Sequence, residues 1–235
     1  MYYNFLIIAT LFSLPGLIIW LCRKDLRPVI TRMVPLALPF TFTEFLFFPD
    51  YWEPRFLFDL GERVGFGIED FIFVAGLAAF TTTAYAVFNR KRYLPLEIIN
   101  NAVIMKRCSS LFGLTVFLVA TTVLLDIPII YGSCATMMLV AAAIIAVRRD
   151  LLAPACLGAL YSIATYYVVC VLCLIMIPDL FQTVWHSERF SKITVGGVPL
   201  EELCYGGAAG FCATVVYPYL FRMAFAPLTG EGRHL

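Results

Sequence analysis

Two pairs of adjacent carboxyl residues each open a long apolar segment of this chain. Glu69 and Asp70 lie in GFGIEDFIF at 65–73, and Glu201 and Glu202 lie in GGVPLEELCYGG at 196–207. A charge inside a membrane costs at least about 2.5 kcal/mol, so acids in such segments point to chemistry. Carboxyls whose environments differ can act as acid and base in one reaction. The two pairs therefore predict a site of proton transfer.

The surroundings of the two pairs are repeated. A Pro-Asp dipeptide precedes each pair, at Pro49 and at Pro178, and an aromatic residue, Phe73 or Tyr205, follows the first acid by four positions. That spacing places the acid and the aromatic ring on one helical face. The second dipeptide comes 129 residues after the first, and the second acid pair comes 132 residues after the first. The pattern predicts an internal duplication with a three-residue difference in one loop.

Composition indicates that these segments cross a membrane. Hydrophobic residues make up 61% of the 235 residues, charged residues make up 14%, and the mean hydropathy is +0.87. Such a chain has too little polar surface for a soluble globule. Each apolar stretch is near the ~20 residues that a spanning helix needs. The sequence predicts an all-α integral membrane protein with seven transmembrane helices, at 3–22, 29–48, 66–88, 109–127, 129–147, 151–177 and 197–222.

The basic residues predict the orientation. Alternating spans divide the 17 cations into thirteen on one side and four on the other. The thirteen are Arg23, Lys24, Arg27, Arg32, Arg90, Lys91, Arg92, Lys106, Arg107, Arg148, Arg149, Arg222 and Arg233; the four are Arg55, Arg63, Arg189 and Lys192. Cytoplasmic loops carry the excess of Lys and Arg, so we expect the N-terminus outside and the C-terminus in the cytoplasm, in the cytoplasmic membrane.

This topology also predicts the domain organisation. Helices one and five point the same way, so the two three-helix units are expected to be parallel repeats. Residues 1–90 form the first repeat, and residues 91–128 form a connector loop and the fourth helix. Residues 129–235 form the second repeat and a cytoplasmic tail.

The same topology brings the acids to one depth. Glu69, Asp70, Glu201 and Glu202 each lie about one turn inside the outer end of a helix, and Glu44 does so at the outer end of helix two. Because pseudo-symmetric halves usually face each other, the acids should converge between them. We expect Glu44, Glu69 and Glu201 to face one cavity in the outer half of the membrane, open sideways to lipid.

A simpler explanation of the acids stays open. Pro199 suits a first helical turn, where the helix dipole favours the negative charges of Glu201 and Glu202. That stabilisation is only about 0.3 to 1 kcal/mol. Burial in a dry cavity disfavours the charged form by more, and it would leave at least one carboxyl neutral and able to donate a proton.

The second acid segment also resembles a known family. The pattern Gly-x-Pro-Leu-Glu-Glu followed by an aromatic residue, in a chain of two three-helix halves joined by an extra helix, is similar to the integral-membrane lycopene cyclases, which have bacterial two-subunit and fungal fused forms. The resemblance implies an intramolecular lyase or isomerase that converts the linear ends of lycopene into β-ionone rings without net redox change. It also implies that Glu201 and Glu202, and by repeat symmetry Glu69 and Asp70, belong to the active site.

Two departures mark a divergent member. The first copy reads GFGIED, without the proline and with Asp in place of the second Glu. At 41–52 the chain reads TFTEFLFFPDYW, where a Pro-Trp-Asp signature is expected, and Glu44 and Asp50 are the nearest acids. These differences bear on substrate identity more than on fold.

The residues near the acids suit this chemistry. Cyclising a polyene requires an acid to protonate a terminal double bond, a dry pocket, aromatic faces beside the carbocation and a base to remove a proton. The acids Glu44, Glu69, Asp70, Glu201 and Glu202 are the candidate catalytic residues. The candidate substrate-binding residues are the neighbouring rings Phe45, Phe48, Phe73 and Tyr205.

No cofactor is expected. The chain has no GxGxxG or P-loop pattern, and its only histidines, His186 and His234, are too few for a histidine-based metal site. The expected partners are a lipid-soluble polyene substrate and membrane lipids, with no nucleic acid, and the resemblance leaves room for other carotenoid-pathway enzymes.

Rival classes fit less well, with one exception. A retinal protein would need a lysine for the Schiff base, and 197–222 contains none. An acidic intramembrane protease would need histidines inside the bundle. A proton-coupled carrier or a non-catalytic isoprenoid-binding protein remains the alternative, because buried carboxyls also serve proton relays. A carrier predicts access to water from both sides, whereas a cyclase predicts an opening to lipid.

Overall fold

A computed structural model describes residues 3–186 and 190–228. Arg189, Arg233 and His234 lie outside these ranges. The described part confirms seven helical segments long and apolar enough to cross a membrane, and the chain is an all-α membrane protein. The segments are Asn4–Cys22, Lys24–Phe47, Ile68–Phe88, Asn101–Leu124, Ile129–Val147, Arg149–Met176 and Leu200–Leu220.

Shorter elements join these spans. The helices are α1 (Asn4–Cys22), α2 (Arg27–Ala37), α3 (Glu44–Phe47), α4 (Leu60–Val64), α5 (Ile68–Phe88), α6 (Asn101–Leu124), α7 (Ile129–Val147), α8 (Leu152–Met176), α9 (Leu180–Thr183) and α10 (Leu200–Leu220). The strands are β1 (Lys91–Pro95), β2 (Thr194–Val195), β3 (Val198–Pro199) and β4 (Met223–Pro227). Turns of 3-10 helix lie at Lys24–Leu26, Leu38–Thr43, Leu57–Asp59 and Arg149–Leu151.

The expected start of the fourth span, at residue 109, was wrong. Helix α6 begins eight residues earlier, at Asn101, because the side chain of Asn100 caps it by accepting from the backbone N–H of Val103 at 2.9 Å. Arg107, which the sequence placed in a loop, lies in the helix. Its guanidinium donates to the carbonyl of Tyr219 at 2.8 Å, so its charged head is satisfied at the end of the bundle.

The second span is broken near its C-terminal end. Helix α2 gives way to a 3-10 segment at Leu38, and a last α-helical turn begins at Glu44. Pro35 lies in the last turn of α2 and Pro39 in the 3-10 segment, and neither has a backbone N–H for the helical ladder. The break shifts the course of the chain just before Glu44, which is buried.

Two arginines make matching contacts in the two proposed halves. Arg23 and Arg148 each follow the first helix of a half and bind the carboxylate two residues later, Asp25 or Asp150, with N–O distances of 2.7 to 2.8 Å in both cases. Each guanidinium also donates to the first residue of a strand, Arg23 to the carbonyl of Lys91 at 2.7 Å and Arg148 to that of Met223 at 3.1 Å. The two arginines thus tie equivalent helix ends to equivalent strands.

The strands and outer loops also pair symmetrically. At one end of the bundle β1 and β4 are antiparallel, with Tyr93 opposite Phe225 at the centre of the register. At the other end Trp52 forms an antiparallel bridge with Trp185. Each of these pairs joins one segment of the proposed first repeat or connector to one of the proposed second repeat, as the proposal of two parallel repeats at 1–90 and 129–235 expects. The division at residues 91–128 stays a prediction.

The core is made by helices α1, α5, α8 and α10. Glycines permit their close approach: a Cβ at Gly76 of α5 would lie 2.5 Å from the Cα of Ser13 in α1. Helices α1 and α5 pack together, as do α8 and α10, and α5 contacts both α8 and α10 across the centre. Helix α6 packs mainly on α7 and lies at the periphery. A cavity between the halves remains, and it holds the candidate site.

Candidate active site

A cavity of about 570 Å³ lies between the two halves. Its wall is mainly apolar and aromatic. Among the described residues that line it, three are acids, Glu44, Asp70 and Glu202. Each is less than a tenth exposed. The structure therefore brings together acids from helix two and from both acid-bearing segments.

The expectation that Glu69 and Glu201 face this cavity was wrong. Neighbouring residues of a helix point about 100° apart, so only one member of each acid pair can face the centre, and it is the second member. Glu69 points into the preceding loop, where its Oε1 accepts from the backbone N–H of Leu57 at 2.6 Å. The Oε1 of Glu201 accepts from the hydroxyl of Tyr131 and from the backbone N–H of Ser191, each at 2.9 Å.

Three side chains donate hydrogen bonds to Glu202. Tyr51 donates to Oε1 and Tyr166 to Oε2, both at 2.5 Å, and the indole N–H of Trp185 donates to Oε1 at 2.8 Å. Burial, together with the neighbouring Glu202, raises the pKa of Tyr51 well above its ordinary value. The Tyr51 hydroxyl therefore keeps its proton and remains a donor.

Glu44 and Asp70 have fewer donors. The Oε1 of Glu44 accepts from the indole N–H of Trp52 at 2.7 Å. The Oδ2 of Asp70 accepts from the backbone N–H of Gly67 at 2.6 Å, which closes the start of α5. One oxygen of Asp70 therefore stabilises the start of a helix, as the simpler explanation of the acids expects. Both residues line the same cavity.

The tryptophan and tyrosine partners of the acids were not among the predicted site residues. Trp52 and Trp185 are both buried. The loops that carry them bond to each other: Glu53 N–H donates to the carbonyl of Val184 at 2.8 Å, and His186 N–H donates to that of Tyr51 at 3.0 Å. The two tryptophans occupy equivalent positions of the proposed repeat, and this equivalence was the sequence signal that could have identified them as site residues.

Half of the predicted aromatic wall lies on the cavity. Phe73 and Tyr205 line it. Phe45 and Phe48 do not, which corrects that expectation. Phe45 is 52% exposed and packs on Phe66 with ring centroids 5.3 Å apart, and Phe48 packs on Phe56 at 5.5 Å. The structure supplies other rings instead, Phe12, Phe47, Tyr51, Trp52, Tyr166, Phe181 and Trp185.

A groove extends from the cavity to the side surface of the helix bundle. It has a volume of about 560 Å³ and runs between the broken part of helix two and α6. Pro39, Thr43 and Val119 line both spaces. The groove also borders Phe42 and Leu124, which are 52% and 84% exposed. We call it the lateral groove. It supports the expected sideways opening to lipid.

Potential metal ligands are not clustered. Within residues 3–186 and 190–228, no group of three or more His, Cys, Asp and Glu side chains is placed to hold a metal ion. Two cysteines of α8, Cys170 and Cys173, line the cavity beside Tyr166.

The fold and the cavity define a class: a polytopic membrane protein with an apolar internal cavity that carries buried carboxyls. A family model described as lycopene cyclase matches residues 128–220, which hold α7, α8 and α10 with Glu201 and Glu202. This match confirms the resemblance read from the acid motif: residues 128–220 are similar to the lycopene cyclase family. Searches of curated proteins and of solved structures found no match.

Proposed function

We propose that this protein cyclises the ends of a linear carotenoid, a lycopene-like polyene, inside the membrane. The family match supports carotenoid cyclisation as the general activity and a lipid-soluble carotenoid as substrate. The observation that carries the finer proposal is the convergence of Glu44, Asp70 and Glu202 on one apolar cavity. Buried acids in an apolar, aromatic space are what protonation of a double bond requires.

The reaction balances without an oxidant or reductant. A carboxyl proton adds to the terminal double bond, and the resulting cation is attacked by a second double bond, which forms the carbon–carbon bond of the ring. A carboxylate then removes one proton from the ring and leaves a new double bond. One proton enters and one leaves, so product and substrate are isomers. Aromatic faces such as Phe73 and Tyr205 stabilise the cation.

The five acids divide into two groups under this proposal. Glu44, Asp70 and Glu202 contact the substrate because they line the cavity. Glu69 and Glu201 position the site, because each holds the loop before its helix through a backbone N–H, of Leu57 or of Ser191. They are therefore assigned as positioning residues.

The lateral groove favours a cyclase over the proton-coupled carrier. A lipid-soluble substrate enters and leaves through lipid, whereas a carrier requires alternating access from the two aqueous sides. The groove borders exposed apolar residues of α6, among them Val116 and Val123. Such a surface suits a polyene rather than a hydrated solute.

We also propose that the N-terminus lies outside and that the acids lie in the outer half of the cytoplasmic membrane. The cation distribution of the sequence supports this orientation. An epitope inserted at Ile98, which is fully exposed between β1 and α6, should be reached only after the membrane is permeabilised. If the epitope were reached in intact cells, the protein would have the opposite orientation.

The test is expression in a bacterium that accumulates lycopene. The expected pigments carry one or two rings, and conversion of unlabelled lycopene by isolated membranes in heavy water should place one solvent deuterium in each ring. A protein with Glu44→Gln, Asp70→Asn and Glu202→Gln together, present at equal level in the membrane, is the inactive control. Unchanged lycopene with the wild-type protein, correctly inserted, would refute lycopene cyclisation.

A further inference from the structure

One wall of the cavity includes α10 with Glu202, and another includes α3 with Glu44 and α5 with Asp70. The carboxyls of these two walls accept different numbers of hydrogen bonds. Glu202 accepts three side-chain hydrogen bonds, from Tyr51, Tyr166 and Trp185. Among the described residues, Glu44 and Asp70 each accept one, from Trp52 and from the backbone of Gly67. Hydrogen bonds donated to a carboxyl favour its ionised form. The difference in donors therefore bears on which acid carries a proton at rest.

The donors of Glu202 are suited to an anion. An indole N–H can only donate, so Trp185 requires an acceptor lone pair on Oε1. The two O–H···O distances of 2.5 Å lie in the range of hydrogen bonds to an ionised oxygen. Both carboxyl oxygens are engaged, because Tyr51 and Trp185 donate to Oε1 and Tyr166 donates to Oε2.

Packing holds these donors in place. The ring of Tyr166 lies against Gly206, where a Cβ would come within 2.7 Å of the ring carbon Cγ. The indole of Trp185 packs between Trp52 and Phe181, with ring centroids 5.0 and 4.7 Å away. The donors come from a loop, from α8 and from a second loop, so the pocket around Glu202 is assembled before substrate binds.

On the other wall, Glu44 and Asp70 accept fewer hydrogen bonds than Glu202 does. One oxygen of Glu44 and one of Asp70 accept no hydrogen bond from the described residues. Two neighbouring carboxylates in a low-dielectric cavity repel each other, and a proton shared by the pair removes that repulsion. A neutral carboxyl there has a donor hydrogen that can face the cavity.

We propose that the two proton transfers are divided between these walls: the Glu44–Asp70 pair donates the proton that starts cyclisation, and Glu202 is the standing carboxylate that accepts the proton at its end. The proposal rests on the proposed function. In the step, an O–H bond of the pair breaks and a C–H bond forms at the terminal double bond. After ring closure, a ring C–H bond breaks, its electron pair forms the new double bond, and the proton goes to Glu202. The proton on Glu202 returns to the pair once the product has left.

Tyr51, Tyr166 and Trp185 are positioning residues in this scheme. They act through Glu202 by keeping it ionised, so losing one donor should raise the protonated fraction of Glu202 and slow the final step. Losing one hydrogen bond to a charged group corresponds to a fall of about 10- to 100-fold in rate. Tyr167, one position along α8 and not a partner of Glu202, provides a matched control.

The first experiment needs no substrate. Infrared spectra of the purified protein in lipid vesicles, compared between ordinary and heavy water, report the carbonyl stretch of protonated carboxyls. Glu44→Gln or Asp70→Asn should remove or shift such a band, whereas Glu202→Gln should leave it and remove carboxylate absorption instead. Glu69→Gln identifies any band from Glu69, whose Oε2 is buried without a hydrogen-bond partner among the described residues. Loss of the carbonyl band in Glu202→Gln, with the band kept in Glu44→Gln and Asp70→Asn, would overturn the assignment.

The second experiment measures conversion of lycopene. Tyr166→Phe should lower the rate about 10- to 100-fold and add a protonated-carboxyl band, while Tyr167→Phe changes neither. A Tyr166→Phe protein with a full rate and an unchanged spectrum would contradict the positioning role. If the wild-type protein shows the predicted infrared bands but converts no lycopene, the proposed function fails and the protonation assignment stands, so the two failures are distinguishable.

Discussion

Trp52 and Trp185 pack on each other with ring centroids 5.0 Å apart, and each donates its indole N–H to a different acid of the cavity. Trp52 donates to Glu44, and Trp185 donates to Glu202. The two residues occupy equivalent loops of the proposed repeat, and they bridge those loops. An equivalent pair thus serves an asymmetric site, because its two N–H groups reach acids on different helices.

The two tryptophans should differ in importance. We expect Trp185→Phe to lower cyclisation about 10- to 100-fold, since it removes a hydrogen bond to an ionised carboxyl. Trp52→Phe removes a bond to the pair that shares a proton and should cost no more than about tenfold. Pigment conversion at matched protein levels measures both, with the partly exposed Trp20→Phe as control. A larger loss in Trp52→Phe than in Trp185→Phe would contradict the assignment of the anion to Glu202.

Adjacent acids should behave differently on substitution. Glu202→Gln keeps the size of the side chain but removes the carboxylate on the cavity, and we expect conversion to fall by about 10² to 10⁴-fold. Glu201→Gln leaves the cavity wall intact and changes only the bonds to Tyr131 and Ser191, so its loss should be much smaller. Equal losses in the two variants would argue against the orientation of α10 described above.

The lateral groove should control entry of the substrate. Ala120 lines the groove on α6, and Ala120→Trp would fill part of it. We expect slower conversion of lycopene in vesicles, with the infrared bands of the cavity acids unchanged, because the chemistry is untouched. Phe117→Trp is the matched control, since Phe117 is 66% exposed on the same helix and does not border the groove. Equal rates in the wild-type and Ala120→Trp proteins would exclude this route.

Arg148 should contribute to stability rather than to chemistry. Its side chain is 9% exposed and binds Asp150 and the carbonyls of Pro218 and Met223, far from the acids. We expect Arg148→Gln to lower the free energy of unfolding by about 1 to 3 kcal/mol, which a lower melting temperature in detergent would report. The exposed neighbour Arg149→Gln should have little effect. A protein with full stability but reduced activity would place Arg148 in the mechanism instead.

The sequence alone was enough to identify the spans and the acid-bearing segments. Hydropathy is a sum over neighbouring residues, so stretches such as 129–147 could be located to within one or two residues of the helix. The sequence also predicts a duplication, because Pro49, Pro178 and the acid pairs keep their order and spacing. The start of α6 was missed because the charged residues Lys106 and Arg107 are typical of a loop. In the structure the guanidinium of Arg107 donates a hydrogen bond to the carbonyl of Tyr219, which is distant in sequence.

Only the tertiary structure decided which acid of each pair faces the cavity. Adjacent residues such as Glu201 and Glu202 are equivalent in hydropathy, and a helix that is apolar on all sides gives no signal of its rotation. The rotation of each helix about its axis is set by packing. For example, the ring of Tyr166 on α8 packs against Gly206 of α10. The donors of Glu202 were hidden for the same reason: Tyr51 lies 151 residues away in the chain and reaches the acid only because two loops bridge. Composition and spacing fix what can enter the membrane, but long-range packing fixes which side chains meet there.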